Sequence, residues 1–263
     1  LSHGLAVPRI RAAVPGARVG IALSLHPLRP ATTSEADLAA LRRHDGLRNR
    51  WFLDPLYGRR YPTDVLALCG NDAPRILAGD MEAIATPTDF LGINYYFPEI
   101  IAHADGGGPL AMQVLPPTGC EQTAFGWEVS PDGLVELLQR VSRDYAPPEI
   151  YITENGATYE DKPDADGEIR DPQRVSYLQR HMAAVRELLS RQVPVNGYFV
   201  WSLLDNFEWA EGYLRRFGLV HVDFDTQARR LKDSGRWYQA FLQGGDRGRV
   251  AGGRIDAEIV TQR

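Results

Sequence analysis

Four short, mostly apolar runs punctuate the chain: Arg18-Val19-Gly20-Ile21-Ala22-Leu23, Phe90-Leu91-Gly92-Ile93-Asn94-Tyr95, Ile150-Tyr151-Ile152-Thr153 and Gly197-Tyr198-Phe199-Val200-Trp201. Runs of this kind predict strands covered on both faces, as in a parallel sheet. Helical spacing fills the intervals. Ser34 is placed to cap an amphipathic stretch from Glu35 to His44. Ser130-Pro131 opens another, with Leu134, Leu137, Leu138 and Val141 on one face. Pro172 to Leu189 gives a third, carrying Val175, Leu178, Met182, Val185 and Leu189 on one side. Leu1 to Val14 reads as a helix ahead of the first strand. Strands alternating with helices predict parallel βα units. The fold class expected is therefore α/β, a TIM (β/α)8 barrel of which about the last four units are present, with Ile93 and Ile152 facing the barrel interior.

The remaining stretches are polar or broken by turn residues. Ala104 to Gly126, rich in Gly and Pro, predicts a long loop over the active face, and Asp161 to Asp171 a polar loop. Gly244 to Arg263 reads as a mobile tail, leaving 1–243 as the half-barrel unit. A length of 263 residues taken alone would suit a complete barrel, and it is the order of the motifs that points to half of one. The net charge of −5 offers no basic field for nucleic acid. No apolar run is long enough to predict a membrane span, and no signal peptide is visible. Cys69 and Cys120 are isolated, with no metal spacing; unpaired thiols in a reducing cytoplasm are the preferred reading, a disulfide the alternative. His3, His26, His44, His103, His181 and His221 show neither nucleophile-elbow nor zinc-helix spacing, and His221 reads as a core residue. No cofactor or metal is expected.

The chemistry concentrates at three strand ends, where a parallel barrel keeps its reacting groups. Glu154 closes the third strand signal, Asn155-Gly156 then turns the backbone, and Thr153 and Asn155 are able to hydrogen-bond a carboxylate or a sugar hydroxyl. After the fourth signal comes Trp201-Ser202-Leu203-Leu204-Asp205-Asn206-Phe207-Glu208-Trp209. Ring faces beside a carboxylate acceptor suit a sugar, which has CH-rich faces and OH donors at its rim. Gly92-Ile93-Asn94-Tyr95-Tyr96 ends the second.

Tyr151-Ile152-Thr153-Glu154-Asn155-Gly156 resembles the nucleophile motif of retaining β-glycosidases of glycoside hydrolase family one. The resemblance implies Glu154 as nucleophile and Tyr96 as the phenol that keeps it ionised. It also implies Asn94 at the rim, Glu208 accepting from distal sugar hydroxyls, Trp201 and Trp209 lining the pocket, and Phe217 as a wall. Asn49 to Leu56 with Tyr61-Pro62, Arg216 to Val220 with Val222-Asp223, and Lys232 to Ser234 with Trp237-Tyr238 match as scaffold, so the resemblance runs from about Leu1 to Leu242. It covers the second half of the family's fold.

The family's acid/base is the Glu of an Asn-Glu-Pro motif on an earlier strand, and no Glu here follows an Asn. Retaining hydrolysis wants two carboxyls roughly 5–5.5 Å apart. Glu149 lies five residues before Glu154 on the same strand, hence roughly 16 Å away. Glu208 is taken up by binding. The expectation is a β-glucosidase-like hydrolase, acting on terminal non-reducing β-D-glucosyl residues through a Glu154 glycosyl-enzyme, that is inactive as this chain alone. The alternatives are a non-catalytic sugar-binding half-barrel and one chain of a split enzyme. The partner expected is a β-linked glucoside or oligosaccharide without phosphate, which Glu208 would repel. A missing N-terminal half-barrel or self-association would close the open sheet edges. Nucleic acid and membrane are not expected.

Overall fold

The computed structural model describes residues 1–244 and the backbone of a short antiparallel pair, Arg249–Val250 with Gly253–Arg254. The expected tail otherwise lies outside the described residues. Four parallel strands form the central sheet: β1 (Gly20–Ser24), β2 (Phe90–Asn94), β3 (Ile150–Asn155) and β4 (Val195–Val200), neighbours in chain order. Five longer helices accompany them: α1 (Ser2–Ala13), α2 (Glu35–Asp45), α3 (Pro131–Tyr145), α4 (Pro172–Ser190) and α5 (Asp233–Leu242). Local chemistry explains where three of them begin. The Ser34 hydroxyl accepts from the Asp37 N–H at 3.1 Å, and that of Ser130 from Gly133 at 3.3 Å. Pro131 and Pro172 open α3 and α4, where a missing N–H costs nothing.

The two faces of the sheet differ. Leu23, Ile93, Ile152 and Tyr198 form one row across the four strands. Ile93 and Ile152 are fully buried among Leu134, Leu137 and Leu138 of α3 and Met182, Val185 and Leu188 of α4. They therefore face the helices, not the barrel interior. Strand alternation gives the other face to Ala22, Gly92, Tyr151 and Gly197, which pair in the adjacent row. Gly92 is obligatory there, because a Cβ would sit 2.9 Å from the Thr153 methyl and 3.1 Å from the Ala22 Cα. Both outer strands of the sheet, β1 and β4, have one unpaired edge.

Two loop expectations change. Within 104–126, a turn at Gly108–Leu110 reverses the chain into a strand, Met112–Leu115, that pairs antiparallel with Glu99–His103. Leu28–Pro30 completes this small sheet, whose outer strand is half exposed and so shows little apolar alternation. The polar loop from Asp161 to Asp171 begins and ends on fully buried carboxylates. Arg174 binds both, meeting Asp161 at 2.7 Å. Lys232 reaches Asp161 at 2.6 Å and Asp205 at 2.8 Å, and Arg216 meets Asp205 at 2.8 Å. Three carboxylates thus face three cations, the pairing that buried charge requires. Among the described residues both cysteines are free, and no helix is long and apolar enough to cross a membrane.

Candidate active site

The register between β2 and β3 slips at the strand ends. Ile93 pairs with Ile152, yet Asn94 pairs with Glu154, so Thr153 is an extra residue in β3. The bulge re-aims the chain. It sets Glu154 in the row of Ser24 and Asn94 on the interior face, while the Thr153 hydroxyl donates to the Asn94 side-chain oxygen at 2.6 Å. Tyr96 then donates its phenol to Glu154 Oε2 at 2.6 Å. Burial, and next the Glu154 hydrogen bond, raise the Tyr96 pKa far above its ordinary value, with the charges of Glu154 and Glu208 adding to this. The phenol therefore stays protonated, a donor to the Glu154 carboxyl, at any working pH.

Asn155 does not face a ligand. It is fully buried, donating to the Tyr95 carbonyl at 2.9 Å and to the Tyr177 hydroxyl at 2.8 Å, and accepting from Tyr198 at 2.6 Å. Its polar groups are spent on the scaffold, against the expectation of a sugar contact. Gly156 follows because a Cβ there would lie 1.8 Å from the Trp201 carbonyl. This close approach joins the turn after Glu154 to the start of the Glu208 loop.

That loop is rooted by Asp205, which accepts from Lys232, Arg216 and the Gly218 N–H at 2.8, 2.8 and 2.9 Å. Further along, the Trp201 indole N–H is close enough to Glu208 to affect its titration. Burial raises the Glu208 pKa, the Trp201 N–H opposes this, and the Glu154 charge raises it further. The two carboxylates therefore lie close enough for their charges to interact. Trp209 stands apart, 83 % exposed on the turn Trp209–Glu211. Phe217 is buried, its ring 6.2 Å from that of Tyr96.

Two aromatics beside the site carried no sequence expectation. Phe125 and Trp127 stack at 4.5 Å, and Trp127 lies 5.4 Å from Tyr96 and 4.7 Å from Phe97. The stretch around them lacks periodicity. The available signal was the pair Phe125-Gly126-Trp127 at the end of a segment otherwise poor in aromatics. No group of residues able to hold a metal ion occurs among the described residues.

The family model described as glycosyl hydrolase family 1 matches residues 1–246. β-Glucosidase A of Thermotoga maritima is 40% identical over 238 residues, which cover 90% of this chain and 53% of the relative. A β-glucosidase of Agrobacterium sp. is 40% identical over 251 residues, 94% of this chain and 54% of its own length. Among solved structures, the family 1 β-glucosidase from Thermotoga maritima superimposes with a TM-score of 0.87 at 38% identity, over 92% of this chain and 55% of that one. The family 1 β-glucosidase from Exiguobacterium antarcticum gives 0.87 at 39% identity, over 93% and 55%. The chain spans about half the length of the curated relatives it matches. Its partial barrel of parallel strands, with Glu154 and Tyr96 at the strand ends, belongs to glycosyl hydrolase family 1.

Proposed function

We propose that this chain supplies the nucleophile side of a retaining β-glucosidase. The observation that carries the reading is the Tyr96 phenol on Glu154 Oε2 at 2.6 Å, at the C-terminal ends of adjacent parallel strands. With one carboxylate oxygen held by Tyr96, the other is free to attack the anomeric carbon. The leaving group departs with a proton from a general acid, and a glycosyl ester forms on Glu154. Water, deprotonated by the same acid/base, then attacks from the leaving-group side, giving net retention. Glu208, steadied by Trp201, accepts from the distal hydroxyls, with Asn94, Trp209 and Phe217 around the sugar. Phe125 and Trp127 offer ring faces beside the same cleft.

The general acid is the piece still to be supplied. Glu149 is paired with Arg18 just ahead of β3, Glu211 with Arg215, and Glu160 with Lys162 on the surface. Asp161 and Asp205 are locked in the buried ion network. In this reading, further βα units pair with the free edges of β1 and β4 and bring the proton donor, either in the same polypeptide or in a second one. The substrate is an unphosphorylated β-glucoside, in keeping with relatives described as β-glucosidases and a 1,4-β-D-glucan glucohydrolase. The two free thiols favour a reducing cytoplasm as the setting.

The test mixes this chain with the N-terminal half of the Thermotoga maritima enzyme and follows aryl β-glucoside hydrolysis by NMR. Hydrolysis with retention is expected in the mixture and is lost with Glu154→Ala. Azide should restore turnover of the variant with an inverted product. Hydrolysis that survives Glu154→Ala would overturn the assignment. A mixture that binds glucoside without turnover would favour the sugar-binding module.

A further inference from the structure

Asn155 lies next to the nucleophile, yet its side chain serves the opposite face of the sheet. The main-chain ladder between β2 and β3 ends at the Asn94–Glu154 pair, one residue before Tyr95 and two before the phenol that holds Glu154. Beyond it, two hydrogen bonds continue the connection. The Tyr95 N–H donates to the Glu154 carbonyl at 2.9 Å, and Asn155 Nδ2 donates to the Tyr95 carbonyl at 2.9 Å. Consecutive residues of β3 thus grip Tyr95 at both of its peptide groups, and the second grip falls on the peptide that leads into Tyr96.

We infer that Asn155 is a positioning residue: its amide stands in for the missing rung of the sheet and sets where the Tyr96 phenol meets Glu154. The inference rests on the reading of Glu154 as nucleophile. The amide is itself held in one orientation. The Tyr95 carbonyl requires a donor, so Nδ2 faces it, and Tyr198 donates to Oδ1 at 2.6 Å. The second Nδ2 hydrogen goes to Tyr177 at 2.8 Å, whose ring stacks on His181 at 3.9 Å in the fully buried interior. A short amide with both hydrogens and its oxygen engaged has no slack to pass on. Alanine would leave Tyr95 held through its N–H alone, and the Tyr95–Tyr96 peptide without its bond to β3.

The experiment labels tyrosine rings with 13C and follows the Cζ resonance of Tyr96, assigned by its loss in Tyr96→Phe. Glu154→Ala gives the position of a phenol without its carboxylate. In Asn155→Ala the resonance is expected to move most of the way to that position, although no atom touching Tyr96 has changed. Asn155→Asp keeps an acceptor for Tyr198 but loses the donor to Tyr95, so it should give the same shift. Tyr177→Phe leaves the Tyr95 contact in place, and although it too destabilises the core, its Tyr96 resonance should stay at the wild-type position. An unmoved resonance in the Asn155 variants, an equal shift in Tyr177→Phe, or failure of both Asn155 variants to fold would assign Asn155 to core stability and overturn the inference. Failure of the nucleophile reading shows elsewhere, as absence of covalent labelling at Glu154, and leaves this comparison of resonances intact.

Discussion

The two carboxylates of the cleft are held in opposite ways. Glu154 sits on a strand end, and the sheet itself fixes it: the bulge at Thr153 aims it, Tyr96 just past β2 binds it, and Asn155 anchors the turn in the core. Glu208 sits on a loop whose root is firm and whose tip is open. Asp205 ties the root to Lys232 and Arg216 through buried charge, while Leu203, Phe207 and Trp209 are 67, 61 and 83 % exposed. A strand end inherits its precision from neighbouring strands. A loop needs an anchor beneath and a cover above, and here the chain provides only the anchor. Exposed apolar side chains on the loop that follows β4 leave the tip open to solvent.

The sharpest way to break this contrast is to remove Glu154. In the reconstituted enzyme Glu154→Ala should cost on the order of 10⁵–10⁶-fold in turnover, as loss of a nucleophile does. Thermal unfolding should change little, because the carboxylate contributes one hydrogen bond. Next is the root of the Glu208 loop. Lys232→Met leaves Asp161 and Asp205 without their shared cation and should destabilise the chain by about 3–5 kcal/mol, read from urea unfolding. Equal stability would mean that Arg174 and Arg216 suffice.

Glu208→Gln should act through recognition. Losing charge-assisted bonds of about 1.5–3 kcal/mol each lowers kcat/KM while the Glu154 ester still forms. The same variant tests the shared cleft by pH. Because folding raises the Glu208 pKa above its ordinary value of 4.5, the native state holds that proton more tightly than the unfolded chain. Stability therefore declines as pH rises from 4.5 through the raised value, and Glu208→Gln should abolish that decline in the melting temperature. The smallest effect is expected at the loop tip. Trp209→Ala should leave stability within about 0.5 kcal/mol while weakening sugar binding; a large loss of stability would show that the tip is better packed than its exposure indicates.

Much of the frame was legible from residue order alone. Strands buried on both faces read as short apolar runs, and Ser34, Ser130, Pro131 and Pro172 mark helix starts by their own chemistry. Alternation shows that Ile93 and Asn94 oppose each other, but not which of them meets the helices, and the expectation for Ile93 and Ile152 failed on that point. The extra residue at Thr153 leaves no mark in composition, so the aim of Asn155 into the helix-packed core was invisible. Asp161 and Asp171 look like loop polarity until Arg174 of α4 closes on both and Lys232, distant in sequence, arrives beside Asp161. Glu154 and Glu208 were found by motif, whereas Phe125 and Trp127 depend on how a loop folds back over Tyr96.

Covalent glycosylation of Glu154 is the step on which the proposed function turns. The direct measurement treats this chain, combined with the complementary half-barrel, with 2,4-dinitrophenyl 2-deoxy-2-fluoro-β-glucoside and maps the adduct by peptide mass spectrometry. Its good leaving group lets the ester form with little help from a general acid, and the fluorine slows its hydrolysis. One added sugar is expected on the peptide that contains Glu154, absent in Glu154→Ala and retained in Glu208→Gln at higher reagent concentration. An adduct on Glu208, or hydrolysis of the natural glucoside by a protein that never labels at Glu154, would contradict it.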